Sequence, residues 1–136
     1  MADGPVEEEE NAAELKLGKV FQEAQAFTNS EVALLLRQYV DSKKQVDPNY
    51  QLTPMLKKTQ QYVETFSYTK NPDAAENIRT MLDKYQLSAF EIGAVVNLAP
   101  NDAEEAKFLI PSLGNQWSDE ELQTMLADLA TYKKFE

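Results

Sequence analysis

Apolar side chains recur at intervals of three and four residues along most of this chain, which is the spacing of one face of an α-helix. Most of these stretches follow a start signal, either a capping side chain before proline or a capping box. The predicted starts are Thr53-Pro54, Asn71-Pro72, Ser88 with Glu91, Asn101 with Glu104, and Ser118 with Glu121. Since each helix has its own signal, we predict an all-α fold with a helical bundle over residues 53–136.

The apolar stripe that follows Thr53 predicts a helix packed into the core of this bundle. Its members are Met55, Leu56, Thr59, Tyr62, Val63 and Phe66. Tyr68 follows the stripe and is expected at the surface. The segment 90–98 is apolar on nearly every side, so we expect it at the centre of the core. Gly93 within it costs about 1 kcal/mol relative to alanine, which predicts a close approach to another helix.

A further helix is predicted ahead of the bundle, from about Ser30 to Lys44. Thr28 with Glu31 has capping-box spacing, although either of the two residues after Thr28 could cap the helix equally well. The helix carries five consecutive apolar residues over 32–36, followed by Tyr39. An apolar surface this wide predicts that the helix is covered on two sides, by the core on one and by a partner on the other.

The segment 14–21 has a different pattern. Leu15 and Leu17 alternate with Lys16, which predicts one short strand in an otherwise helical chain. A lone strand leaves its backbone hydrogen-bonding groups unpaired. The segment is therefore either a strand added to a sheet edge of a partner or irregular coil packed on the helices. We expect residues 14–52 to form a partner-docking arm.

The chain is acidic, with a net charge of −10 at pH 7, and carboxylates are concentrated at its start. Six of them fall within the first fourteen residues, which contain no Lys or Arg. High charge with little to bury predicts a disordered acidic tail over residues 1–13. Neither this tail nor the rest of the chain carries a basic stripe. Direct binding of nucleic acid is therefore not expected, and a partner would make any such contact.

The residue types present offer little for catalysis. The chain contains no Cys and no His, which excludes disulfides, thiolate chemistry, histidine bases and metals held by either residue. The glycines form no phosphate-binding motif. Carboxylates cluster at 102–105 and 119–121, but there they favour the dipole of a predicted helix. We predict a protein that is not an enzyme and has no cofactor; a carboxylate-only metal hydrolase is the remaining enzymatic alternative.

No apolar run reaches the roughly 18 residues that a membrane-spanning helix needs. The acidic N-terminus lacks the apolar stretch of a signal peptide. The sequence therefore predicts an intracellular protein without a membrane partner.

Several short motifs follow one another along the chain. They are Asn29-Ser30-Glu31-Val32, Lys58-Thr59 with Tyr62 and Phe66, Lys70-Asn71, Phe90-Glu91 through Asn97-Leu98, Pro100, Ala103-Glu104-Glu105-Ala106-Lys107, Leu109-Ile110-Pro111-Ser112-Leu113, Asp119-Glu120-Glu121-Leu122-Gln123 and Lys134-Phe135. Together they resemble the family of the fourth-largest subunit of RNA polymerase II, over about residues 15–136. The motif at 109–113 favours the polymerase II branch over the related subunits of polymerase III and of archaea, while plant-type polymerase variants stay open.

The resemblance implies a bundle of the helicase-and-RNase-D C-terminal (HRDC) type and a heterodimer with a subunit that carries an OB fold. Such a pair forms the stalk of RNA polymerase II near the RNA exit channel and acts in transcription initiation and in coupling to RNA processing. The polymerase core is then a second partner, and nascent RNA is reached only through the OB-fold subunit. The implied location is the nucleus, with the cytoplasm open as an additional one.

These patterns and the resemblance together predict the residues that meet the partner. They are Leu15, Leu17, Val20, Phe21, Val32, Leu35, Leu36 and Tyr39. The first four would pack as a leader segment, and the last four would extend that contact as a helix face. Two alternatives stay open: the equivalent stalk subunit of a related polymerase, and a stand-alone HRDC-like module that binds nucleic acid.

Overall fold

In the computed structural model, the backbone of residues 9–135 and the side chains of residues 9–133 are described. Within that range the chain forms seven α-helices and no β-sheet, which confirms the predicted all-α fold. The helices are α1 (Gly18–Gln22), α2 (Asn29–Val46), α3 (Pro54–Thr65), α4 (Pro72–Lys84), α5 (Ala89–Leu98), α6 (Ala103–Leu109) and α7 (Asp119–Ala130), and the 3-10 segments are Ala12–Glu14, Pro111–Asn115 and Thr131–Phe135. No helix in the described range is both long and apolar enough to cross a membrane. Residues 1–8 of the predicted acidic tail lie outside the described residues.

Most of the helices begin at the capping side chains that the sequence predicts. The capping boxes are Thr28 with Glu31, Ser88 with Glu91, and Ser118 with Glu121, while Thr53 and Asn71 cap the two helices that start with proline. The predicted cap of α6 at Asn101 is wrong by one residue. The Asp102 carboxylate instead accepts the backbone N–H of Glu105 at 2.8 Å. The Glu105 carboxylate in turn accepts the N–H of Asn101 at 2.9 Å. The backbone N–H groups of Asn101 and Glu105 thus both have hydrogen-bond partners when Asp102 is the cap.

The core lies among α4, α5, α7 and the 3-10 segment Pro111–Asn115. Its most deeply buried side chains are Leu82, Ile92, Val95, Val96, Leu113, Leu122 and Met125. The central position of α5 is therefore confirmed. The close approach predicted at Gly93 involves a different neighbour, because a Cβ there would lie 3.9 Å from the Cβ of Ala26, in the segment before α2, and not against another helix.

Two burial predictions around α3 are wrong. Of the stripe that begins at Met55, only Val63 is buried, whereas Met55, Tyr62 and Phe66 are exposed. Tyr68, expected at the surface, is only 6% exposed, and its hydroxyl donates to the carbonyl oxygen of Leu129 at 3.1 Å. The link between α3 and α4 therefore points inward at Tyr68. Burial of this ring is tolerated because its hydroxyl keeps a hydrogen-bond partner.

The short strand predicted within 14–21 is not present in this part of the described chain. Leu15 has a φ of 59° and Gly18 a φ of 81°, and these left-handed conformations interrupt an extended backbone. The segment forms a 3-10 turn instead, closed by two backbone hydrogen bonds between Asn11 and Lys16 of 2.8 and 2.9 Å, and continues into α1. A strand needs a neighbour to pair with, and the described chain offers no second strand.

Candidate partner interface

Helix α2 has one covered face and one open face. It packs on α3 and α4, and its side chains of Ala33 and Val40 are buried. The four predicted partner residues on α2 recur at three- and four-residue spacing, so they share one side of the helix. That side lies next to the covered face. Leu35 and Tyr39 are 48% and 47% exposed. Val32 and Leu36 are half-buried. The structure thus gathers this half of the predicted set on one apolar surface that is open to solvent.

The N-terminal end of α2 is fastened to the bundle by hydrogen bonds across long stretches of sequence. Arg79 of α4 donates to the Glu31 carboxylate and, at 2.9 Å, to the carbonyl oxygen of Ala26. The buried hydroxyl oxygen of Ser30 accepts the backbone N–H of Thr69 at 3.1 Å. These contacts hold the open face of α2 in a set orientation, so a partner would not have to order the helix on binding.

Two opposing effects act on the pKa of Glu31. Partial burial raises it, since desolvation disfavours the charged carboxylate. Hydrogen bonds from Arg79 and from the backbone N–H of Thr28 favour the charged form and outweigh burial, so the pKa of Glu31 lies below its usual 4.5. Glu31 and Arg79 therefore form an ion pair at neutral pH.

Helix α3 carries a second open apolar stripe beside the first. Arg37 of α2 pairs with Glu64 of α3 at 3.0 Å, which ties the two helices together. Met55 is 80% exposed, and the exposed rings of Tyr62 and Phe66 lie 4.9 Å apart, centroid to centroid. Sequence reasoning missed this surface by treating all the apolar residues of α3 as one stripe.

The spacing within α3 contained the signal that was missed. Met55, Tyr62 and Phe66 fall on one side at seven- and four-residue steps, whereas Leu56 and Val63 fall on another, about 100° away. The second side is the one that packs on the protein. Between the helices an open groove of about 420 Å³, the α2–α3 groove, has a lining that includes Leu36, Tyr39, Tyr50, Met55, Leu56 and Thr59.

The four predicted leader residues lie elsewhere. Leu17 and Phe21 line a depression of about 680 Å³ whose far side is formed by residues 88–90 at the start of α5. Phe21 is largely exposed, and Val20 is 77% exposed. Leu15 occupies the left-handed position of the turn before α1. No residue lines both this depression and the α2–α3 groove, so the structure divides the predicted interface into two surfaces.

The carboxylate clusters have structural partners. Asp102 and Glu105 accept backbone hydrogen bonds at the start of α6, and Glu121 does so at the start of α7. Asp119 pairs with Lys107, which links α7 to α6. Within residues 9–135, no group of three or more acidic side chains is arranged to hold a metal ion.

An all-helical chain with apolar helix faces open to solvent has the features of a subunit that docks into a larger assembly. A profile of the family described as RNA polymerase Rpb4 matches residues 26–133. The chain is 43% identical over 135 residues to DNA-directed RNA polymerase II subunit 4 of Arabidopsis thaliana, which covers 96% of this chain and 98% of that protein. The corresponding subunits of Dictyostelium discoideum and Schizosaccharomyces pombe are each 34% identical, over 96% and 94% of this chain and 93% and 95% of theirs.

The chain belongs to the RNA polymerase Rpb4 family. The resemblance carried by its sequence motifs is thereby confirmed, and so is the polymerase II branch that the motif at 109–113 favours.

Proposed function

We propose that this chain is a non-catalytic subunit of DNA-directed RNA polymerase II and forms, with an OB-fold subunit, the stalk near the RNA exit channel. In this role it acts in the nucleus, in transcription initiation and in coupling to RNA processing. The heterodimer joins it to the polymerase core. The OB-fold partner, and not this chain, contacts nascent RNA.

The observation that carries this proposal is the near full-length similarity to polymerase II subunits from three distant organisms. Each match covers more than nine-tenths of both chains, so the similarity is not confined to one segment. Its net charge of −10 supports assigning the RNA contact to the partner, because a polyanion is repelled by an acidic protein.

The open face of α2 supports a docking role in energetic terms. Val32, Leu35, Leu36 and Tyr39 are already about half covered within the chain, so burying what remains exposed would contribute roughly 3–6 kcal/mol of gross transfer free energy. The loss of translational and rotational freedom offsets much of that gain. The leader could add a strand to the partner, provided that its turn at Leu15 opens on binding.

Native mass spectrometry of the tagged chain, purified under mild salt from cells that express it, tests the proposal. We expect a one-to-one complex with an OB-fold subunit, together with smaller amounts of a particle that contains the large polymerase II subunits. A tagged and unrelated acidic protein of similar size is the control. Recovery of this chain as a 15.4 kDa monomer only, or with the large subunits of another polymerase, would contradict the proposal.

A further inference from the structure

The open end of the α2–α3 pair differs in charge from the rest of the molecule. Residues 39–60 contain four lysines and two aspartates, a net charge of +2, whereas the whole chain carries −10. The four lysines are Lys43, Lys44, Lys57 and Lys58, and all are exposed. This end therefore attracts anionic groups, although the molecule as a whole repels them.

Helix stability accounts for only one of the two lysine pairs. Lys43 and Lys44 lie in the last turn of α2, where a cation interacts favourably with the helix dipole. Lys57 and Lys58 lie near the start of α3, where the dipole does not favour them. Each of the helices α2 and α4 to α7 has an acidic residue in its first turn, and α3 has none.

Two of the lysines, Lys43 and Lys58, lie next to residues that line the apolar α2–α3 groove. The Lys43 ammonium lies 5.5 Å from the centroid of the Tyr39 ring, one of the groove-lining side chains. Lys58 stands between Leu56 and Thr59 in the sequence of α3, within one turn of both. The groove is apolar, and these two residues, the rim lysines, give it basic charge on both helices.

We propose that the α2–α3 groove binds an acidic peptide segment of a protein, with apolar side chains of that segment seated on Leu36, Tyr39 and Met55. Its carboxylates would pair with the rim lysines, which would orient the segment and increase its association rate. The groove overlaps the surface of the proposed heterodimer, so the peptide segment and the OB-fold subunit would compete for it. The groove shares Leu36 and Tyr39 with the predicted partner surface, but Met55 and the lysines of α3 lie outside that set.

A peptide fits this groove better than a nucleic acid does. Single-stranded nucleic acid is bound by aromatic platforms that alternate with basic residues along an extended track. The lining here contains two aromatic side chains, Tyr39 and Tyr50, but they do not form an extended track, because the aliphatic side chains of Leu36, Met55 and Leu56 line the groove beside them. The basic region covers only one end of an acidic chain. A short segment with a few carboxylates can stay within that region, whereas a longer polyanion would extend into repulsive surroundings.

Fluorescence anisotropy with the full chain tests the proposal. The probe is a labelled peptide of about ten residues in which Asp and Glu alternate with Leu and Phe. One comparison peptide replaces the acids with Asn and Gln, another replaces the apolar residues with Ser, and a single-stranded RNA of similar length is the third. We expect binding of the acidic and apolar peptide only, with an affinity that falls as salt rises.

Variants then locate the site. We expect Lys57→Glu with Lys58→Glu to weaken peptide binding about tenfold, and Met55→Ser to weaken it several-fold. Lys19→Glu with Lys84→Glu makes the same change in net charge on α1 and α4 and should leave the affinity unchanged. All the substituted residues are exposed, so the variants should fold. Thermal unfolding monitored by circular dichroism checks this for each variant.

Three results would overturn the proposal: no binding of the acidic peptide, equal binding by the Lys57 and Lys58 variant, or binding of the RNA alone. None of these affects the heterodimer, which mass spectrometry measures separately. Loss of the heterodimer with peptide binding intact would instead reject the proposed function and leave the groove in place.

Discussion

Glu31 illustrates how one side chain can join two parts of the fold. Its carboxylate closes the capping box with Thr28, and it also accepts hydrogen bonds from Arg79, 48 residues away. Because these bonds lower its pKa below 4.5, folding stabilises the charged form. By linkage, that stabilisation is present above the unfolded-state pKa and is lost as the pH falls through the lower folded-state pKa.

Replacing the carboxylate at position 31 should therefore change stability in a pH-dependent way. Glu31→Gln keeps a side chain that can accept the capping hydrogen bond but removes the charge that Arg79 pairs with. We expect a loss of roughly 1–2 kcal/mol at pH 7 that shrinks as the pH falls below 4.5 and through the lower folded-state pKa of Glu31. Urea unfolding across that pH range measures it, with the exposed Glu23→Gln as the matched control. If Glu31→Gln lowers the free energy of unfolding equally at both ends of the pH range, the charge of Glu31 does not stabilise the fold through Arg79.

Local contacts of single residues were predictable from the sequence, and distant ones were not. The capping role of Glu91 followed from its spacing to Ser88. Its second contact, in which the Ser112 hydroxyl donates to its buried carboxylate at 2.8 Å, spans 21 residues and has no sequence signature. Tyr68 was misplaced for the same reason, since its partner Leu129 lies 61 residues away.

At the scale of the helices, starts were more predictable than the burial of faces. A cap depends on three or four consecutive residues, so the starts of α3 to α5 and of α7 were predicted correctly, and for α2 the structure selects Thr28 from the three caps left open. Periodicity shows that a face is apolar but not what covers it. The stripe of α3 was therefore assigned to the core, although Met55 and Tyr62 are open to solvent. For the leader, the sequence left open a strand added to a partner and irregular coil; the described chain has no strand there, and whether a partner would supply one is not encoded in this chain's periodicity.

The open face of α2 gives a prediction at the same scale. We expect Leu35→Asp with Leu36→Asp to weaken the proposed heterodimer by at least about tenfold, because two carboxylates would be buried without partners in the interface. Pull-down and isothermal titration with the purified OB-fold subunit measure the effect.

The matched control is Phe108→Asp, a substitution at an 82% exposed side chain on α6, outside the predicted interface. It should leave the heterodimer unchanged. Undiminished binding by a folded double variant of α2 would remove Leu35 and Leu36 from the interface.

For the whole molecule, the remaining question is whether α2 is a separate arm or part of the bundle. The boundary at residue 53 stays a prediction, and the contacts across it are substantial. Ala33 and Val40 are buried, and Ser30 and Glu31 bond to Thr69 and Arg79 beyond the boundary. Such contacts favour one cooperative unit that includes α2.

A chain that begins at residue 53 should therefore be less stable than the full chain. Losing the buried Val40 and Ala33 and the hydrogen bond from Thr69 to Ser30 should cost about 3–5 kcal/mol, and the newly exposed face of α3 adds to the loss. Urea unfolding measures this, and a chain that begins at residue 23 is the control, since it keeps α2 intact and should retain most of the stability. Equal stability of the chains that begin at residues 53 and 23 would mean that α2 is an independent arm. In that case its open face would become ordered only on the partner, and binding would have to offset that entropy.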